Sequence, residues 1–343
     1  MRKNENRRNA SGTSKTRSFW AKARFELPVL IFLVIFAFWF SSSTWIKDQI
    51  TAWQNPLNPD VAKIADDAGV NENGKFLLQV SYARINNRDD FNKNCSNGDE
   101  SQSIVLGCFS KNRIYIFNVS DEKIAGVKSV IAAHEMLHAA YSRLSTSERN
   151  RVDQMIQNEI PNIQSADIKN SLDVYKKTEP GEEMNELHSL LATEEKNLPK
   201  DLEEYYSKFF SDRQKVVSDY EKYSGVFDEL KNQQEKISQD LDGLKRQIDD
   251  KTSEYQANSK DLSDKISAFN SCADDDGCFA SSQDFQAQRN NLMNQQKFLS
   301  VFGDQINNMI SQYNSGVDKL NALGVEMNKL NSNLDSRSEN IAK

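Results

Sequence analysis

Proline is scarce in this 343-residue chain, and none of its six prolines follows Pro199, so the C-terminal two-fifths holds no residue that forces a helix to break. A net positive charge is missing too. At −7, with a pI near 5.3, the chain has no general basic face for neutralising phosphates, which excludes a general nucleic-acid binder. Histidine is rarer still, with three residues. The four cysteines, Cys95, Cys108, Cys272 and Cys278, fall in two sequence-local pairs without the C-x2-C spacing of a four-cysteine zinc site. Their even number fits two disulfides in an oxidising compartment. What is present, 38% hydrophobic and 27% charged residues, suffices for a core and predicts two or more structural units with a mixed front and a helical rear.

Ionisable side chains are also absent from Pro28 to Ile46, a run of nineteen residues. As a helix it would span about 28 Å, close to the hydrocarbon thickness of a bilayer. Residues 1–26 carry eight bases against Glu5 and Glu26, a local +6 that leaves −13 for the rest. The positive-inside rule then predicts a basic cytoplasmic tail over 1–26 and a transmembrane helix over 27–46, with everything after residue 47 outside. Trp39 and Trp45 suit the far interface. This reading makes the lipid bilayer a partner and the protein a single-pass component of the cytoplasmic membrane. A cleavable signal peptide competes with it, with Ser41–Ser43 as the cleavage region, although no A-x-A occurs there and no cysteine follows as a lipid attachment point.

A linker over 47–58 leads to an expected α+β domain over 59–222. Val61 to Ala68 reads as a short helix, and the apolar runs Phe76–Val80, Ile104–Phe109 and Ile114–Val119 read as strands of a small sheet. Ser110–Asn112 supplies a hairpin turn between the last two, and a Cys95–Cys108 bridge would staple the polar loop 83–102 to a strand. Helices are expected over 123–142, 147–159, within 164–177 and over 181–197. From 223 to 343 the pattern becomes heptad. Phe227, Gln234, Leu241, Ile248, Tyr255, Leu262 and Phe269 recur every seven residues, and Phe285, Leu292, Leu299, Ile306, Tyr313, Leu320, Met327, Leu334 and Ile341 do so again. Two long helices should pair as an antiparallel coiled-coil hairpin with a tip loop over 270–281, a parallel homodimer of the arms being the rival. Asp274–Asp276 before Gly277 suggest calcium, but Cys272 and Gln283 stand where an EF-hand loop needs its first and twelfth ligands, which favours a solvated loop.

Two of the three histidines lie in His134-Glu135-Met136-Leu137-His138, an H-E-x-x-H pattern. On a helix, positions i and i+4 share a face, so both imidazoles can bind one Zn²⁺ with Glu135 beside them. Zinc lowers the pKa of a bound water and polarises a carbonyl, and Glu135 would act as general base, passing the proton on to the leaving amine. A catalytic site needs a third protein ligand and an open position. Further along the chain stands Asn185-Glu186-Leu187-His188-Ser189.

With these two motifs the chain resembles the thermolysin-type gluzincins, HExxH zincin metallopeptidases whose second motif is N-E-x-x-S-D. The resemblance implies Glu186 as third ligand, with His188 the rival and otherwise a hydrogen-bond donor to the oxyanion. Leu190 replaces the family's Asp, so the partner that holds a zinc histidine must lie elsewhere, with Glu182 and Glu194 the candidates. The resemblance implies a zincin-like domain over about 59–215, in which strand 113–119 offers its edge to an extended substrate. The aromatics Tyr205, Tyr206, Phe209 and Phe210 are expected to pack this domain against the base of the coiled coil. The expected activity is a membrane-anchored, extracytoplasmic zinc metallopeptidase acting on peptides or proteins, its hairpin available to an envelope protein partner. The alternative is a coiled-coil envelope scaffold or regulator with a structural or vestigial zinc site.

Overall fold

The computed structural model describes residues 44–95, 105–275 and 278–337. In chain order its elements are α1 (Thr44–Gln54), α2 (Pro59–Asp67), α3 (Glu72–Val80), β1 (Arg84–Asn86), α4 (Arg88–Cys95), β2 (Gly107–Ser110) and β3 (Arg113–Phe117). There follow α5 (Val127–Ser142), α6 (Thr146–Glu159), α7 (Ala166–Thr178), α8 (Glu183–Glu194), α9 (Lys200–Tyr206), α10 (Arg213–Ala273) and α11 (Ser282–Leu334).

The α+β expectation is corrected by this inventory, since 77% of the described chain is helical and the sheet has only three strands of three to five residues. The run 76–80, expected as a strand, is the second half of α3. The Asn71 side chain accepts from the backbone N–H groups of Asn73 and Gly74, which satisfies the first free donors of a helix, and Leu77, Leu78 and Val80 are buried. So short an apolar run carries no period by which a strand differs from a buried helix. The loop expected over 83–102 contains β1 and α4. The transmembrane part of the expected architecture is corrected as well: residues 27–43 lie outside the described residues, Thr44–Ile46 open α1, and among the described residues no helix is long and apolar enough to cross a membrane.

The sheet order is β1-β3-β2, with β1 parallel and β2 antiparallel to β3. The strand expected to offer an edge to substrate, β3, is therefore the middle one, paired on both sides. Lys111 and Asn112, with φ of 51° and 61°, form the two-residue turn joining β2 to β3. A disulfide between Cys95 and Cys108 ties α4 to β2.

The chain divides into two compact units. One is built from described residues within Met1–Asn97, Gly107–Phe117 and Ser129–Val217. Its core includes Leu78, Ile114, Ile116, Met136, Leu137, Ile156, Ile168, Leu187 and Leu191, drawn from α3, β3 and α5 to α8. Tyr205 and Tyr206 pack inside this unit, each ring 5.5 Å from that of His188, and Phe210 bridges to Val70. Buried Arg213 seals the start of α10 by donating to Ala192 O, Glu195 O and Lys196 O and to the Glu203 carboxylate.

The other unit is built from described residues within Gly98–Leu106, Asn118–Lys128 and Ser218–Lys343. Its two long helices run antiparallel, with Tyr255 against Phe302 and Phe269 against Phe285, while Gly316 leaves room for the Leu241 side chain. Leu241, Leu262, Leu299, Phe302, Ile306, Leu330 and Leu334 fill the seam. A second disulfide, Cys272–Cys278, closes the tip. At the opposite end Asn333 donates to Asp121, Ser336 to Val105 O, and Lys123 pairs with Glu326.

Candidate metal centre

Helix α5 is buried on almost every side: Val130, Ile131, Ala132, Ala133, Met136, Leu137, Ala139 and Ala140 are all core residues. A helix apolar all round belongs in an interior, and the small alanines let neighbouring elements approach closely. Between Ser129 and Tyr141, His134 and His138 are the partly exposed exceptions, one turn apart. Helix α8 faces them with an unbroken buried stretch from Glu186 to Thr193.

The structure brings His134, His138 and Glu186 together as one group of ligand atoms within 4.8 Å of one another. Nε2 of His134 lies 3.0 Å from Nε2 of His138, 3.5 Å separates His134 Nε2 from Glu186 Oε1, and 3.4 Å separates His138 Nε2 from Oε2. These spacings match the edge of a tetrahedron around zinc, about 3.3 Å for bonds near 2.0 Å. Two imidazole lone pairs so close repel unless a positive centre lies among them. On the protein's own groups that centre is a proton. Burial opposes protonation of His134, but the Glu186 carboxylate outweighs it and pushes the imidazole up to about 9. Burial likewise opposes ionisation of Glu186, yet the two imidazoles hold its carboxyl well below the usual range. Glu186 Oε2 is buried without a hydrogen-bond donor. Two imidazoles and a carboxylate with one unsatisfied oxygen are a donor set that zinc takes, so the residues present fit it.

The partner of His138 is Asn185, while the Glu194 charge acts on His134. His138 Nδ1–H donates to Asn185 Oδ1 at 3.0 Å, while the Asn185 amide nitrogen donates to Glu182 Oε2 at 3.0 Å. The second bond orients the amide so that its oxygen faces the ring. A proton on Nδ1 leaves the Nε2 lone pair of His138 toward His134 and Glu186. Glu182 thus acts one bond removed, through Asn185.

His188 points elsewhere. It is fully buried, its Nε2 is 2.9 Å from the Tyr205 hydroxyl, and the Tyr141 and Tyr206 rings enclose it. Burial, then the nearby His138 and His134 charges, lower its imidazole to about 3, so it stays neutral. Residues two apart on a helix diverge, and here Glu186 takes the ligand side and His188 the core side. With no exposed surface His188 cannot reach substrate, so its expected part as an oxyanion donor is not one this geometry allows.

Glu135 is buried beside the group, and burial raises its carboxyl above the usual value, against the two imidazoles. Its cover is β2. A Cβ at Gly107 would stand 2.6 Å from Glu135 Oε1 and 2.5 Å from Ile131 Cγ2, so only glycine lets the strand lie there. Two residues that the sequence reading did not single out also belong here. Gly107 is one, and its type within a strand was the available signal. Tyr175 on α7 is the other, its hydroxyl toward Glu186. Burial, followed by the Glu186 and Glu135 charges, pushes this phenol far above its ordinary pKa. No spacing rule in the sequence points to it.

Comparison of the chain with family models, with curated proteins and with solved structures gives no match.

Proposed function

We propose that this chain is a zinc-dependent metallopeptidase, with His134, His138 and Glu186 as ligands and Glu135 as general base. The observation that carries the reading is the convergence of two imidazole nitrogens and one carboxylate, drawn from helices 48 positions apart in sequence, beside a second buried carboxylate. A bound zinc would supply Lewis acidity toward a peptide carbonyl and acidify a water molecule. Asn185 fixes the tautomer of His138. Glu135, with its raised proton affinity, takes a proton from the attacking water at its carboxylate oxygen and delivers it to the leaving nitrogen. The Tyr175 hydroxyl supports Glu186. An extended peptide would add to the outer edge of β2, unpaired among the described strands and starting against Glu135, rather than to β3.

The group contains three ligand side chains among the described residues, which favours an enzyme with an open position over a scaffold whose structural zinc needs four. Two disulfides favour an oxidising compartment, so peptides or proteins outside the cytoplasm are the substrate class. Metal analysis and peptide hydrolysis test the reading together. Purified protein should hold about one zinc per chain, lost in His134→Ala, and Glu135→Gln should keep the metal while hydrolysis falls about 10³-fold. Undiminished hydrolysis by Glu135→Gln would overturn it.

A further inference from the structure

Helix α1 is amphipathic in the reverse sense. Successive residues turn by about 100°, so Asp48, Thr51, Ala52 and Asn55 share one side and Ile46, Ile50 and Trp53 share the opposite one, with Trp45 between them and nearer Ala52. The polar side is the one docked on the protein. Asp48 accepts from Arg143 Nε and Nη2 at 2.9 and 3.3 Å, and Gln79 Nε2 donates to Ala52 O and Asn55 O, both at 2.8 Å. The apolar side faces outward, with Ile50 46% and Trp53 86% exposed and Ile46 partly so, and Trp45, 68% exposed, flanks it. A helix between protein and water turns its apolar residues to the protein. The reversal in α1 calls for a second apolar medium on its outer side.

The adjoining sequence says which. Upstream of α1 the chain has no ionisable side chain back to Pro28, and before that it carries eight bases within residues 1–26. Tryptophan is also the side chain best suited to the headgroup zone of a bilayer, where its ring is half apolar and its N–H stays hydrated. We infer that the outer face of α1 lies in the interfacial layer of a lipid bilayer, with Ile50 and Trp53 entering it and Trp45 at its edge. The Asp48–Arg143 ion pair then links the lipid-facing helix to the residue just past α5. The inference stands whether or not the metal centre is catalytic.

Trp20, Trp39, Trp45 and Trp53 are the only tryptophans, so replacing the first three with Phe in the full chain leaves Trp53 as the sole reporter. This protein is reconstituted into phosphatidylcholine–phosphatidylglycerol vesicles with and without acyl chains brominated near the headgroup. Trp53 emission should shift to the blue, fall about twofold or more with brominated lipid, and resist acrylamide. The inference fails if acrylamide quenches Trp53 as freely as an exposed indole and bromine has no effect. It fails equally if Trp53 is shielded from both quenchers, since protein then covers the face, or if the chain does not float with the vesicles.

Discussion

The helices around His134, His138 and Glu186 and the two arms of the hairpin share a secondary structure but obtain their stability differently. Helix α8 buries eight consecutive residues, and α5 buries residues on nearly every side. Over its 53 residues α11 buries five, nearly all along one seam, and leaves Met293, Phe298, Val301, Ile310 and Val325 exposed. In the first case each side chain meets partners from several elements distant in sequence. In the second it meets one arm at a mirrored position. The core around the site is cooperative and intolerant of change, whereas the hairpin is a chain of small, nearly independent contacts.

Substitutions should separate the two regimes. Leu187→Ala in α8 is expected to cost about 2–5 kcal/mol in denaturant unfolding, because its neighbours cannot collapse into the void. His188→Gln should cost about 1–3 kcal/mol through the Tyr205 bond and the surrounding packing, while metal analysis still finds about one zinc per chain. Loss of zinc there would return His188 to the ligand set. Asn185→Ala should leave folding nearly intact but weaken zinc affinity about 10–100-fold in a chelator competition, because His138 loses its tautomer partner. Phe298→Ser and Val325→Ser on α11 should change stability by no more than about 0.5 kcal/mol. If Val325→Ser cost as much as Leu187→Ala, the arms would not be the loosely coupled element described above.

Legibility in the sequence follows the same division. The heptad step at Leu299, Ile306 and Leu334 announces a long paired helix, because one face must stay on a supercoiled seam over many turns. The candidate ligand residues were legible for a local reason as well: i and i+4 histidines on a helix need no tertiary information to share a face, and Glu186 rested on the likeness of 185–189 to a gluzincin motif. Most of the illegible parts depend on contacts that lie outside the segment concerned. Phe76–Val80 is helical because Asn71 caps it and its apolar side chains join the core, and the run itself records neither fact. Asn185 as the partner of His138, Tyr175 against Glu186 and Gly107 over Glu135 depend on how α7, α8 and β2 settle on α5. The four-residue β2 and five-residue β3 were placed by composition, but the middle position of β3 depends on β1, a three-residue strand inside a segment expected to be a loop.

The mirrored pairing of the hairpin has a geometric consequence. Because Leu241 meets Gly316, Tyr255 meets Phe302 and Phe269 meets Phe285, the two members of each pair have numbers of nearly constant sum, 557, 557 and 554. Removing one heptad from both arms at matching positions would preserve every remaining partnership and draw the tip in by about 10 Å. Span is thus an adjustable dimension of this protein, and it can be lengthened or trimmed in whole repeats without disturbing Asn333 and Ser336 at the far end.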